Sequence, residues 1–248
     1  MLGILICDHV DEELRPIAGG DLDEMFKALL LRVDPSVELR FYDAIGRELP
    51  QSAAECDGYI LTGSHHSAYE DLPWIEELSG FIRSAHAEGV RMVGLCFGHQ
   101  LIAQALGGRV EKAAQWTAGV QTLELEAQPW FEGGTTALLA MHEDVVTALP
   151  AGARIIGSGT TADIPAYLIG ETVLGIQYHP EFTRNFVEAL ILRRVDRIGR
   201  EASEAALVSL QTQTAWESTM ISILRFLRDE KRPGHEVTAQ TADLPRIA

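Results

Sequence analysis

Residues 2–7, LGILIC, form a short apolar run with acids following from Asp8, the pattern of a buried strand. Over 21–33, DLDEMFKALLLRV, the period changes, and Leu22, Met25, Phe26, Leu29 and Leu30 share one helical face. VELRFYDA (37–44) and CDGYILTGS (56–64) read as the second and third strands. LPWIEELSGFIRSAHAEG (72–89) reads as a helix stopped by Gly89. VRMVGLC (90–96) is a fourth strand, and FGHQLIAQALGG (97–108) a helix closed by Gly107 and Gly108. This βαβα order predicts an α/β fold, an open and mostly parallel sheet with helices on both faces.

After residue 108 the pattern changes. GVQTLELE, ALLAMHED, ARIIGSG, PAYLIGE and TVLGIQYH predict short strands with little helix between them, an antiparallel extension or edge. From Phe182 the chain reads as helical over RNFVEALILRRVDRIG and then EAALVSLQTQTAWESTMISILRFLRDE. Residues 231–248 are polar with two prolines and read as a flexible tail.

The bulk numbers narrow the functions. A 248-residue chain buries roughly 70–75% of its unfolded surface and needs no disulfide or metal to hold its core. A formal net charge of −16 disfavours nucleic acid and anionic membranes as partners. The three cysteines, Cys7, Cys56 and Cys96, make neither a disulfide framework nor a metal motif. The first residues lack a basic leading segment, and no apolar run approaches membrane-spanning length, so a cytoplasmic location is expected.

Cys96 stands where an apolar strand meets a helix, with Gly94 and Gly98 two residues to either side. Glycines there leave little bulk around the side chain and permit a sharp strand-to-helix turn, the logic of a nucleophile elbow. The free N–H groups and positive end of the following helix favour thiolate over thiol and can hold an oxyanion. GIQYHPEF (175–182) supplies a base and an acid to orient it. Pro180 biases His179 toward extended backbone, and in an extended segment His179 and Glu181 point to the same side.

GLCFGHQ (94–100) together with GIQYHPEF resembles the class I, triad-type glutamine amidotransferases. The resemblance runs from about residue 40 to about 185 and includes ILTGSHHSAYEDLPWI, similar to that family's glycine-rich loop. YEDLPWI is typical of the stand-alone, GMP-synthase-like group. The resemblance implies a flavodoxin-like sheet, with residues 1–195 as the amidotransferase domain and 196–230 as a helical extension packed on it. It implies Cys96 as nucleophile, His179 as general base and acid, and Glu181 as the orienting acid. The backbone N–H groups of Ser64 and Phe97 would form an oxyanion hole, and Gly63 and Gln100 would contact substrate. Ser64 stands where the family usually has a second glycine, so a strained loop is expected there. His65, in place of proline, and His66 read as rim residues, and no metal or other cofactor is expected. Thr117 replaces an acid common after the tryptophan in this group. His142 and Asp144 fit a structural or pocket-wall role.

The implied reaction is hydrolysis of the glutamine side-chain amide, or of another γ-glutamyl amide, through a Cys96 thioester. The sequence does not name the ammonia acceptor; a separate synthase subunit is one candidate. The alternatives are a stand-alone γ-glutamyl peptidase and a catalytically idle interaction domain.

Overall fold

A computed structural model of the chain describes residues 1–232. The tail expected over 231–248 therefore lies outside the described residues except for its first two. The Arg232 N–H donates to the Pro129 carbonyl at 2.8 Å.

Strand β1 (Leu2–Ile6) alternates sides as a strand must. Leu2, Ile4 and Ile6 join a core on one face with Phe26, Leu30 and Ile223, while Leu5 and Cys7 join Tyr59, Leu78 and Ile82 on the other. A short helical turn, α1 (Arg15–Ala18), leads to α2 (Leu22–Val33). Asp21 caps α2 in a reciprocal capping box with Glu24, and its carboxylate also accepts the Val10 N–H at 2.8 Å. One aspartate thereby starts a helix and ties down the loop leaving β1. Leu22, Met25, Phe26 and Leu30 are buried as their spacing predicts; Leu29 packs at the margin of the same core.

Strands β2 (Leu39–Asp43), β3 (Gly58–Leu61) and β4 (Arg91–Leu95) follow, with α3 (Pro73–Ala87) between β3 and β4 and α4 (Phe97–Ala105) after them. Beyond come two long strands, β5 (Arg109–Leu125) and β6 (Gly134–Ala148), then β7 (Ala153–Ile155), β8 (Gly157–Gly159), β9 (Ala166–Ile169) and β10 (Val173–Ile176). The main sheet has the order β2-β1-β3-β4-β10-β9-β7. It is parallel from β2 to β10 and antiparallel at β9 and β7. The antiparallel extension is a separate sheet of order β6-β5-β8.

Two details of the sheets differ from the sequence pattern. The extension is built on a hairpin of 17- and 15-residue strands rather than short ones, because residues 109–112 already pair with β6 and, after a register shift, pairing resumes at Thr117. ARIIGSG is two strands in different sheets, joined at the buried Ile156.

Helices α5 (Arg184–Arg193), α6 (Val195–Ile198), α7 (Arg200–Ser209) and α8 (Trp216–Leu227) complete the described chain. The continuous helix expected over 204–230 is broken after Ser209. Ser209 Oγ accepts the Val120 N–H at 2.8 Å, and the Ala215 N–H donates to Ala137 at 2.8 Å. Both bonds anchor the break to the extension. Helix α7 lies on β5, and α8 packs against α2 and β4.

Candidate active site

Strand β4 passes into α4 through Cys96, which has φ 51° and ψ −103°. Positive φ at a non-glycine residue costs about 1–3 kcal/mol and persists only where the surroundings impose it. Here the Cys96 N–H donates to Ile176 at 2.9 Å, and the Cys96 carbonyl accepts the Gln100 N–H at 3.0 Å. The flanking glycines have another task. Neither Gly94 nor Gly98 has positive φ. A Cβ on Gly94 would collide with the Gly98 carbonyl, and one on Gly98 with the Leu61 carbonyl. The glycines let α4 press onto β3 and β4, and the strain of the turn falls on the cysteine itself.

His179 and Glu181 come from the extended segment after β10. His179 Nδ1 lies 2.7 Å from Glu181 Oε1, and both residues are buried. The His179 N–H donates to Leu139 of β6 at 2.8 Å. Phe182 stacks on the imidazole with ring centroids 3.9 Å apart and planes 5° from parallel. With Nδ1 engaged, Nε2 has no hydrogen-bond partner among the described residues. A Cβ on Gly63 would sit 2.9 Å from His179 Cε1 and 3.8 Å from Cys96 Cβ, so glycine there leaves room for the histidine beside the cysteine. Burial alone would lower the His179 pKa. The negative charges of Glu181 and of a Cys96 thiolate outweigh burial and raise it to about 10.

The two N–H groups expected to form an oxyanion hole belong to Ser64 and Phe97. Among the described residues neither meets a protein acceptor. Ser64 does not have positive φ, so the strain expected from its replacement of glycine is absent. The loop is held from outside. Asp8 accepts the His65 N–H at 2.7 Å and contacts the His65 ring at 2.8 Å. Glu70 accepts the Ser67 N–H at 2.9 Å and meets the His66 ring at 2.8 Å. Each rim histidine thus has its own carboxylate. Among the described residues no three His, Cys, Asp or Glu side chains gather in a metal-holding group.

Cys96 stands in the wall of two adjoining cavities. One, about 280 Å³, is mixed, with Val10, Leu14, Phe182 and Leu190 on one part of its wall and Asp8 and Asp11 on another. The other, about 210 Å³, is polar, with Tyr69, Gln100, Lys112 and Glu143. Ser64, Met141, Arg194 and Arg197 line both. Gln100 is on the polar wall, but its amide nitrogen is committed to the Asp144 carbonyl at 2.7 Å and to Gln177 at 3.3 Å. Asp144 also accepts the Tyr69 hydroxyl at 3.1 Å, and burial pushes the neighbouring His142 down to about 3, so it stays neutral. A wider concavity of about 730 Å³ lies at the opposite end of the sheet, around Met1, Leu2 and Arg91, and holds none of these groups.

Four site residues escape a reading of the sequence. Gln177 donates toward Cys96 Sγ at 3.7 Å. Its signal is parity, since Gln177, His179 and Glu181 alternate along one extended segment. Asp8 follows β1 directly, at the carboxyl end where such sheets bind ligands. Phe182 and Arg194 carry no local signal; packing alone brings them to the cleft. The other two cysteines are remote from this chemistry. Cys7 is fully buried and pushed up to about 12 by burial, and Cys56 is buried under Tyr42.

The chain is similar to several known proteins. A γ-glutamyl peptidase 4 from Arabidopsis thaliana is 29% identical over 194 residues, 74% of this chain and 76% of that protein. A glutamine-hydrolyzing GMP synthase from Thermosipho melanesiensis is 34% identical over 137 residues, 54% of this chain but 26% of the synthase. The fold matches the crystal structure of a glutamine amido transferase from Methylobacillus flagellatus with a TM-score of 0.69 at 20% identity, covering 95% of this chain and 97% of that one. The family model for class-I glutamine amidotransferases matches residues 20–195, most of the chain, and the protein belongs to that family.

Proposed function

We propose that this protein hydrolyses γ-glutamyl amides through a γ-glutamyl thioester on Cys96. The observation that carries the reading is the strained Cys96, set between two cavities beside a buried His179–Glu181 pair. Sγ attacks the amide carbonyl carbon, and the resulting oxyanion accepts the Ser64 and Phe97 N–H groups. Each such donor is worth about 3–4 kcal/mol in comparable sites. The His179 imidazolium gives its Nε2 proton to the departing nitrogen, the C–N bond breaks, and the amine leaves. Water then attacks the thioester, His179 takes the water's proton, and glutamate is released with the thiolate restored. Glu181 holds the imidazole in the required tautomer and favours its charged form.

Two leaving groups fit this chemistry. The likeness to γ-glutamyl peptidases, extending over three-quarters of both chains, favours an amino acid or peptide amine. The likeness to GMP synthase favours glutamine, with ammonia passing to a separate synthase subunit. Steady-state hydrolysis by the purified chain without ATP, on glutamine and on γ-glutamyl dipeptides, decides between them. A kcat/KM ratio near a hundredfold, about 2.7 kcal/mol of transition-state preference, would assign the substrate. Absence of turnover on both, with no acyl adduct on Cys96, would overturn the reading.

A further inference from the structure

Arg194 lies where α5 gives way to α6, half-buried, in the wall of both cavities beside Cys96. Its guanidinium carbon is 5.9 Å from the centroid of the Trp116 ring, and that of Arg197 is 4.9 Å from the same ring. Two cations therefore crowd one indole at the mouth of the site.

The acids around them are already engaged. Asp8 accepts the His65 N–H at 2.7 Å, Asp11 pairs with Arg193 at 3.4 Å, and Glu143 pairs with Lys112 at 3.1 Å and reaches Arg197 at 4.0 Å. Among the described residues no carboxylate comes within 4.0 Å of Arg194. Burial lowers the Arg194 pKa and the adjacent Arg197 lowers it further, although Asp8 and Asp11 act the other way. An arginine keeps its charge even so. A partly desolvated guanidinium without a counter-ion, next to a nucleophile, is arranged for a charge the substrate brings.

We infer that Arg194, with Arg197 beside it, binds the carboxylate of the amino acid that departs when a γ-glutamyl peptide is cleaved. The inference rests on the hydrolase reading above and specifies its substrate class. The polar cavity, lined by the Gln100 side chain and the Lys112–Glu143 pair, would take the γ-glutamyl part. The mixed cavity that Cys96 also lines offers the apolar side chains of Val10, Leu14 and Phe182 to a leaving residue, with Arg194 in the same wall. Ammonia as leaving group would use neither the apolar walls nor the cation.

The test separates binding from turnover. Titration calorimetry on the full chain carrying Cys96→Ala compares a γ-glutamyl dipeptide with its C-terminal carboxamide. The free acid should bind at least tenfold tighter. Adding Arg194→Gln should bring the ratio close to one, and Arg194→Lys should restore part of it. Equal affinity for acid and carboxamide in the Arg194-bearing chain overturns the inference, whatever becomes of the variants. So does a ratio that Arg194→Gln leaves unchanged, or a loss it imposes equally on glutamine, which would place the contact on the γ-glutamyl carboxylate. Hydrolysis of the same two peptides by the native chain is read separately. No turnover alongside a retained tenfold preference would sink the hydrolase reading and leave the carboxylate site standing.

Discussion

His179 Nδ1 and Glu181 Oε1 are 2.7 Å apart, and their side chains are almost wholly removed from water. Two residues of one extended segment make this pair, with Pro180 between them and Phe182 stacked on the imidazole. An ordinary exposed ion pair of this kind contributes little. Here the carboxylate has no other hydrogen-bond donor among the described residues, and its second oxygen is buried without one. The pair therefore works as a unit, and changing one member leaves a buried polar group exposed to the full cost of desolvation.

Within this unit the roles are unequal. Cys96→Ala and His179→Ala should each reduce γ-glutamyl hydrolysis to background, since each removes a group that makes or breaks a bond. Glu181→Gln should lower kcat by roughly 10²-fold or more yet leave a measurable remnant, because it changes the orientation and charge stabilisation of the base rather than the base itself. Wild-type rates in Glu181→Gln would mean that another group holds His179.

The same pair has a signature in stability. The His179 pKa rises from its ordinary 6.5 to about 10 in the folded chain. A raised pKa means that the folded state binds the proton more tightly, so the stabilisation is complete below the unfolded value and fades as pH climbs through the folded one. Urea midpoints for the native chain and Glu181→Gln should differ most below about pH 6.5, and the gap should narrow toward pH 10. A gap that widens toward alkaline pH would contradict the assigned charges.

Much of the fold was legible because four of the five parallel strands, β1, β3, β4 and β10, are short, mostly apolar and inside the expected runs; β2 carries Arg40 and Asp43. The hairpin of β5 and β6 was underestimated because Glu111 and Lys112, which give no apolar alternation, are held by pairing with Val145 and Asp144. The site was legible where chemistry and spacing coincide locally, as at Cys96 and at His179 with Glu181. It was not legible where tertiary packing supplies the partner, as when Asp8 reaches His65 across 57 residues. Ser64 shows a further limit. Its replacement of glycine suggested strain, but Ser64 does not have positive φ, whereas Cys96 does.

Cysteine reactivity should follow environment rather than count. A diazo-ketone glutamine analogue should label Cys96, which lines both cavities. Cys7 should stay unlabelled in the folded chain, since it is fully buried and its thiol is pushed up to about 12. Cys56 is buried away from either cavity and should also stay unlabelled. Peptide mapping that places the adduct on Cys7 or Cys56 would remove Cys96 from the mechanism.

Gly63→Ala should damage catalysis more than folding. Its backbone does not need glycine, because φ is not positive. Its missing side chain is what matters, since a Cβ would lie 2.9 Å from His179 Cε1. Relief requires the imidazole to shift by a few tenths of an ångström away from the cysteine. A misplacement of about 1 Å can cost 10²-fold in rate, so a fall of about tenfold or more in kcat is expected with only a small change in Tm. A variant with native kcat would show that the histidine has slack.

The last expectation concerns Asp8, which touches no reacting atom. Its carboxylate accepts the His65 N–H at 2.7 Å and contacts the His65 ring, and so fixes the residue that follows Ser64. The Ser64 N–H can serve an oxyanion only while that loop is held, and the other anchor, Glu70 on Ser67, lies further along the chain. Asp8→Asn keeps one acceptor oxygen and nearly the same shape, but replaces the other oxygen with a donor and removes the charge. The loop should then sample positions with the Ser64 N–H misaimed. Because that N–H acts on charge that develops in the transition state, kcat should fall while KM changes little. Loss of a whole oxyanion donor costs about 10²–10³-fold in kcat, so a misaimed one should cost about tenfold. Asp8→Glu should not rescue the rate, since its longer side chain carries the carboxylate past His65. A rise in KM with kcat unchanged would instead make Asp8 a substrate contact, and native values of both would show that the loop keeps its shape without this anchor.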